Sequence, residues 1–559
     1  MSVPTPKTNF RTALNSYRAV NTWTVAALVV AWIALWGVHA FKSAYLALAT
    51  QVQDDTYYYL LPAWNFSRLG RFTFDGNTSA YGFQPLWELL LTVAASISNS
   101  RELFLRLTLF IGALCYAATA VGAGRAASAI WRGVNREPAV VAMAVAAATL
   151  LLNTPVQLSN LTGKENALYG VLLVMLLNLH LDERFGEWHG LPIVSGTVAG
   201  LILLARLTPM SVAVVIIHPV LIRRVESRAA FTAKYAIALS LTLVPWIAYA
   251  NMAFGSVLPW SVRLNANAAW AVLMSENRPA PWTLARTVAD YVASCARFAL
   301  GLKSTFWPAP HQYDAVGPIL VPFLVLSGTI GAMFASVQNA NSDVSTVAPA
   351  KYILAVLCAV TAATVSIPIA LSTDRLDLYY RRWYVVELPI LAAILAGIGA
   401  ETITHLAKRF TRAIGTTCWI GLLVVWIVMG ARDTMSIGKP AAVYRDEGEW
   451  QQVTLRAANW SNRELHLTRS DQVGAFSAGL LGWFSNATVI NLDGLANDEV
   501  ARVLLENKSV AHYCLQRQIH FYIDTVEPAE VFDRYRVVAT FPNGSVQYPV
   551  YYVAEVAGN

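Results

Sequence analysis

Long apolar runs alternate with short polar connections over the first three quarters of the chain, and then the pattern changes. Runs of roughly 20 apolar residues recur, each long enough to cross about 30 Å of hydrocarbon as a helix that satisfies its own backbone hydrogen bonds. They predict a first span over Trp23–Phe41 and further spans near 103–123, 139–152, 165–181, 191–205, 208–222, 235–252, 316–336, 352–371, 383–400 and 413–431, about eleven in all. Beyond about residue 433 the runs give way to short β-rich stretches separated by Asn, Asp, Gly and Pro: Ala487-Thr488-Val489-Ile490, Phe521-Tyr522-Ile523 and Tyr535 to Phe541. Helical stretches near 446–460 and 498–507 complete the expectation of a small α/β domain. The predicted architecture is an α-helical polytopic membrane domain over 1–432 and a C-terminal α/β domain over 433–559.

Basic residues orient this pattern. Lys7, Arg11 and Arg18 precede the first span and place the N-terminus in the cytoplasm. Counting alternately, the cytoplasmic connections should carry Arg125/Arg132/Arg136, Arg223/Arg224/Arg228/Lys234 and Lys408/Arg409/Arg412, the densest basic clusters between spans. An odd number of spans leaves the C-terminal domain outside, with two long outside segments at 42–102 and 253–315, both rich in Trp, Tyr and Pro. The first apolar run could serve as a signal-peptide core with Ala47-Leu48-Ala49 as cleavage site, but its length and the spans that follow favour an uncleaved helix.

Composition supports the membrane assignment and removes several function classes. Of 559 residues, 56% are hydrophobic and only 13% charged, with a mean hydropathy of +0.46, which an ordinary soluble fold does not show. The net charge of +7 lies mostly in the inter-span clusters, so topology explains it and nucleic-acid binding is not indicated. Five dispersed cysteines (Cys115, Cys295, Cys358, Cys418 and Cys514) form neither a disulfide framework nor a zinc site, and the nine histidines contain no HExxH or close His/Asp cluster. No transition-metal cofactor is expected; a carboxylate-held Mg²⁺ or Mn²⁺ stays open. Gly122-Ala123-Gly124-Arg125-Ala126-Ala127 fits a dinucleotide fingerprint by letter, but it ends an apolar span and follows no strand, so small residues packing two helices explain it better.

The sharpest local chemistry is Gln53-Asp54-Asp55-Thr56-Tyr57-Tyr58-Tyr59, two carboxylates opening an amphipathic segment just beyond the first span. Adjacent helical residues do not share a face, so one of the pair should point at a substrate while helix capping competes as the reading of both.

Three ordered blocks, Asp54 to Tyr59, Phe72-Thr73-Phe74-Asp75-Gly76 and Tyr81-Gly82-Phe83-Gln84-Pro85-Leu86-Trp87, resemble the first outside loop of bacterial GT-C glycosyltransferases. Thr162-Gly163-Lys164-Glu165-Asn166-Ala167-Leu168-Tyr169, Phe254-Gly255-Ser256-Val257-Leu258-Pro259-Trp260-Ser261 and Val489 to Asn497, with its Asn-Leu-Asp-Gly core, are similar to later segments of the same families. The resemblance spans about 54 to 497. It departs from the pattern at Lys164, where Met is frequent, and at Arg206-Leu207-Thr208, which lacks the Asp often found after that Arg.

The resemblance implies a membrane enzyme of the bacterial plasma membrane with an extracytoplasmic site. Such an enzyme moves a sugar from a polyprenyl-phosphate donor to a glycan, lipid or protein acceptor with inversion. It puts Asp54 or Asp55 at the acceptor, as base or orienting group. A hydroxyl is a poor nucleophile at neutral pH, and a placed carboxylate that takes its proton contributes on the order of 10²–10⁴-fold. The departing phosphate needs positive charge in a poorly solvated cleft. Arg375, Arg381 and Arg382, beside Tyr380, offer that charge, with Lys164 and Arg263 behind them, although a belt of interfacial aromatics and headgroup contacts fits the same stretch. Glu165 is either a ligand of the donor or a capping residue. Two other classes remain: a transporter or flippase, which would bury ionisable groups at mid-membrane depth, and a silent accessory protein.

Overall fold

The structure, a computed structural model, describes residues 6–135, 139, 141–153, 156–157, 160–181, 188–221, 228–264, 300, 321–330, 386–410, 445–526, 535–542 and 550–556. Most of the segment 253–315, the spans expected near 352–371 and 413–431, and the candidates Arg375, Tyr380, Arg381 and Arg382 lie outside these residues.

Among the described residues up to 264 there are ten helices: α1 (Pro6–Lys42), α2 (Tyr45–Gln51), α3 (Asp54–Leu69), α4 (Pro85–Ser96), α5 (Arg101–Asn135), α6 (Ala142–Leu151), α7 (Asn166–Leu181), α8 (Leu191–Ala205), α9 (Pro209–Leu221) and α10 (Arg228–Phe254). After them come α11 (Glu387–Phe410) and the C-terminal elements α12 (Arg445–Glu464), β1 (Gln472–Ala475), α13 (Gly479–Phe484), β2 (Thr488–Asn491), α14 (Asp498–Leu505), α15 (Val510–Gln516), β3 (Phe521–Asp524), β4 (Tyr535–Pro542) and β5 (Val550–Val556). Among the described residues, four helical segments are long and apolar enough to cross a membrane: Thr22–Lys42, Arg101–Gly133, Ala229–Phe254 and Glu387–Leu406. Shorter apolar helices lie at the predicted positions around 142–151, 166–181, 191–205, 210–219 and 321–330. The chain is a membrane protein.

The bundle packs through small residues. A Cβ added at Gly122 would meet the Val174 side chain of α7 at 2.3 Å, and one at Gly124 would meet the Met143 carbonyl of α6 at 2.6 Å. The glycines of the apparent dinucleotide fingerprint thus let α5 touch two neighbours. Helix ends are closed by side chains from other helices. Glu401 of α11 accepts from the N–H groups of Val141 and Ala142 at 2.7 and 2.9 Å, and Arg106 of α5 donates to the carbonyls of Ala40 and Ser43 at 2.6 and 2.9 Å.

The C-terminal elements form a five-stranded mixed sheet in the order β2-β1-β3-β5-β4, with β1 parallel to β2 and β3, and β5 antiparallel to β3 and β4. The expected strands near 487–490, 521–523 and 535–541 are β2, β3 and β4. Strands β1 and β5 and helices α13 and α15 were not expected. The C-terminal elements do not stand apart: one hydrophobic core runs from Tyr57, Phe83 and Trp87 of the first loop into Val473, Leu481, Trp483 and Ile523.

Candidate active site

Helix α3 opens on Asp54 and Asp55 after an extended Gln53 and closes on Gly70, whose φ of 70° lets its N–H return to the Phe66 carbonyl at 2.9 Å. The two carboxylates, one residue apart, point to different surroundings. Asp54 is buried at 7% exposure and caps a helix other than its own: its oxygens accept from the N–H groups of Gly479 at 3.1 Å and Leu480 at 2.7 Å, at the start of α13. The other end of that six-residue helix is held by Arg101, which donates to the Trp483 carbonyl at 2.6 Å, and Trp483 donates to the Tyr45 hydroxyl at 2.6 Å. Helix α13 is therefore seated in the first loop at both termini. Burial pushes the Asp54 carboxyl up to about 7; its backbone donors oppose the shift, and the neighbouring Asp55 and Asp524 charges add to it.

Asp55 faces the other way, with 48% of its side chain exposed, and its Oδ2 lies 3.3 Å from Nζ of Lys164, whose side chain is buried. The Lys164 segment is drawn against α3 by backbone recognition. Thr56 donates to the Thr162 carbonyl at 2.7 Å and Trp87 to the Gly163 carbonyl at 2.9 Å. Gly163 sits at φ 88°, where a Cβ would come within 2.7 Å of Thr56 Cγ2. The blocks Asp54–Tyr59, Tyr81–Trp87 and Thr162–Tyr169 thus converge through contacts that need those residue types.

Glu165 belongs to a buried lattice. Its carboxylate accepts from the Tyr59 hydroxyl at 2.9 Å and lies 3.7 Å from the Arg206 guanidinium, which donates to Asn166 Oδ1 and has its centre 5.7 Å from the Tyr169 ring centroid. Tyr169 in turn donates to Glu387. Glu165 opens α7, Arg206 follows α8 and Glu387 opens α11, so the charges collect at helix ends. Helix capping does not describe Glu165, because its oxygens are spent on Tyr59 and Arg206.

Residues from the C-terminal elements complete the site, and no sequence argument had assigned them a role. The Tyr58 hydroxyl donates to the Phe476 carbonyl at 3.0 Å and accepts from Ala478 N–H at 3.1 Å and Asn491 Nδ2 at 3.2 Å. Asp493 Oδ2 lies 3.5 Å from the same hydroxyl, and its Oδ1 accepts from Leu495 N–H at 2.7 Å. Burial pushes Asp493 up to about 8, with the Asp55 and Asp54 charges adding to the shift. One turn further, Asp498 accepts from Tyr81 N–H and from the Ser79 hydroxyl, each at 2.7 Å. Gly82 admits this contact: a Cβ there would lie 1.5 Å from the Leu495 carbonyl oxygen. The visible signal was the Asn-Leu-Asp-Gly stretch, but nothing in its letters said that it meets the first loop.

Arg263 is exposed, with its guanidinium centre 5.0 Å from the Trp260 ring centroid. Among the described residues no three His, Cys, Asp or Glu side chains converge as metal ligands. Both Asp54 oxygens are engaged by N–H groups and Asp55 faces an ammonium. These residues do not fit a divalent cation.

Residues 442–553 match a family described as a domain of unknown function, DUF8728. No curated protein matches the sequence. Among solved structures, the chain resembles the apo oligosaccharyltransferase of Archaeoglobus fulgidus at 11% identity, with a TM-score of 0.51 over 90% of this chain and 69% of that one. The same enzyme with zinc and sulfate gives 11% identity and a TM-score of 0.50 over 89% and 68%. ArnT of Cupriavidus metallidurans, solved with undecaprenyl phosphate, gives 14% identity and a TM-score of 0.42 over 96% and 99%. The oligosaccharyltransferase likeness is one of fold, and a fold does not by itself carry a function.

Proposed function

We propose that this protein transfers a sugar from a polyprenyl-phosphate donor to the hydroxyl of a glycan, lipid or protein acceptor at the outer face of a bacterial plasma membrane, with inversion at the anomeric carbon. The observation that carries the reading is the Asp55–Lys164 pair. A half-exposed carboxylate is backed by a buried ammonium 3.3 Å away, at the point where three sequence-distant segments meet.

Asp55 Oδ2 faces Lys164, which holds the side chain in place and leaves Oδ1 for an acceptor. The acceptor hydroxyl gives its proton to Asp55 as its oxygen bonds to the anomeric carbon, and the bond from that carbon to the phosphate oxygen breaks with its electron pair going to the phosphate. The leaving group departs as a phosphate monoester and needs no acid; it needs positive charge, which Lys164 supplies. Arg375, Arg381 and Arg382, with Tyr380, are assigned to the same phosphate by the resemblance. Asp54 is a positioning residue that seats α13, and Glu165 anchors the floor of the site through Tyr59 and Arg206. The N-terminus is assigned to the cytoplasm and the C-terminal sheet to the outside.

The transporter reading would place ionisable groups at mid-membrane depth, whereas Glu165, Arg206 and Glu387 gather at helix ends. The test is transfer from a panel of radiolabelled polyprenyl-phosphate sugars by the purified protein in lipid, beside Asp55→Asn. Consumption of a donor by the wild type and loss of at least 10²-fold in the variant is expected; equal turnover by both removes Asp55 as base.

A further inference from the structure

The turn that carries Asp55 is weakly tied to the rest of its own helix. Pro62 lies inside α3 and has no N–H, so the donor that an α-helix would offer the Tyr58 carbonyl, four residues back, is missing. Residues 54–58 therefore depend on outside contacts to hold their direction. Thr56 and Tyr57 make two of these within the N-terminal part of the chain, donating to the carbonyls of Thr162 and Ala49, each at 2.7 Å. Asp55 lies on another face, which it shares with Tyr58 three residues on.

On that face the C-terminal elements hold the Tyr58 hydroxyl from several sides. Its proton goes to the Phe476 carbonyl at 3.0 Å, with Asp493 Oδ2 the more distant acceptor at 3.5 Å, and its lone pairs accept from Ala478 N–H at 3.1 Å and Asn491 Nδ2 at 3.2 Å. A hydroxyl offers one donor and two acceptor sites, so this one is saturated and has nothing left for a substrate. Phe476 and Ala478 belong to the connection from β1 to α13, and Asn491 ends β2, so one side chain pins two segments. The Asn491 amide is itself held, because its Oδ1 accepts from Ala496 N–H at 3.1 Å. Backbone meets backbone beside it: a Cβ on Gly479 would lie 2.2 Å from the Asp54 carbonyl oxygen.

We infer that the C-terminal elements set the direction of Asp55 through Tyr58, which makes Tyr58 a positioning residue for the carboxylate rather than a contact of the substrate. The stretch 442–553, matched only to a domain of unknown function, thereby orients a group that it does not contain. Naming that group a base rests on the transfer reading; its being held through Tyr58 does not.

The experiment uses the full chain in lipid nanodiscs. Carbodiimide coupling of an amine to Asp55, mapped by mass spectrometry, reports how freely the carboxylate leaves Lys164. Tyr58→Phe should speed this labelling severalfold, and the wild-type rate in the variant overturns the inference. Turnover of a polyprenyl-phosphate sugar is measured on the same samples. Tyr58→Phe should lower kcat about tenfold or more with little change in the donor KM, because a misdirected base weakens the transition state and leaves donor binding alone. In the Asp55→Asn background the same substitution should leave the residual turnover unchanged, since no base remains to be aimed. An equal loss in both backgrounds would make Tyr58 a general support of the fold and refute its positioning role. Where Tyr58→Phe fails to fold, Asn491→Ala removes one donor to the hydroxyl and should move both measurements the same way by a smaller factor; wild-type values in both refute the inference. Faster labelling in the variant, beside a wild type that consumes no sugar donor, keeps the positioning and loses the transfer reading.

Discussion

Substituting Asp54 tests whether its carboxylate acts on chemistry or on the seat of α13. Alanine leaves the N–H groups of Gly479 and Leu480 buried without an acceptor, at about 1–3 kcal/mol each, so Asp54→Ala should cost about 2–6 kcal/mol. Asparagine keeps one acceptor and turns an NH₂ toward the other N–H, for about 1–3 kcal/mol at pH 5. The pH dependence carries a sign. The folded carboxyl is raised to about 7 from an ordinary 3.8, so the native state binds the proton more tightly than the unfolded chain. Its contribution is fully present below about pH 4 and is lost as pH climbs through 7, a change of up to about 4 kcal/mol. Asparagine cannot ionise, so wild type should lose about 2–3 kcal/mol relative to Asp54→Asn between pH 5 and pH 8, most of it below pH 7, which closes or reverses the gap. Thermal unfolding followed by tryptophan fluorescence in nanodiscs measures this, with donor turnover on the same samples. Asp55→Asn, at a half-exposed position, should unfold within about 1 kcal/mol of wild type while turnover falls by about 10²–10⁴-fold. An Asp54→Asn protein that is as stable as wild type at pH 5 but inactive would refute the assignment of the two carboxylates.

Three further outcomes are expected. Gly82→Ala drives a methyl group to 1.5 Å from the Leu495 carbonyl oxygen, a backbone atom that no rotamer change can move, so hydrogen exchange around 491–505 should accelerate; unchanged protection there would contradict the contact. Glu165→Gln removes one of the carboxylates facing the buried Arg206 and turns an amide toward the Tyr59 hydroxyl, so the bundle should lose about 1–3 kcal/mol, read by denaturation in detergent, whereas an unchanged midpoint would mean that Glu165 does not hold the lattice. Lys164→Met, which restores the residue frequent in similar families, should lower kcat/KM for the lipid donor on the order of 10²-fold without changing stability by much; full activity would remove Lys164 from the phosphate.

Hydropathy runs were enough to read a helical membrane protein, because a bilayer demands that each crossing segment satisfy its backbone internally, and that demand is written locally in about 20 consecutive residues. The strands near 488, 521 and 535 and the helices opening near 445 and 498 were legible for a similar reason: turn residues and local preference set their limits. The blocks Asp54–Tyr59, Tyr81–Trp87 and Thr162–Tyr169 were visible as candidates. Their convergence was not, since Thr56 to Thr162 and Trp87 to Gly163 are contacts between side chains and distant backbone that leave no periodic trace. Capping competes as the sequence reading of Asp54, but Asp54 caps no turn of its own helix: the helix it caps begins at Gly479, and local rules look only to the residue's own helix. The folded chain likewise decides which of two adjacent carboxylates is buried, gives Lys164 to Asp55 and Arg206 to Glu165, and brings Asp493 to Tyr58 of the first loop. Burial and charge pairing are properties of what surrounds a side chain, and over separations of 400 residues and more those surroundings exist only once the C-terminal sheet has docked.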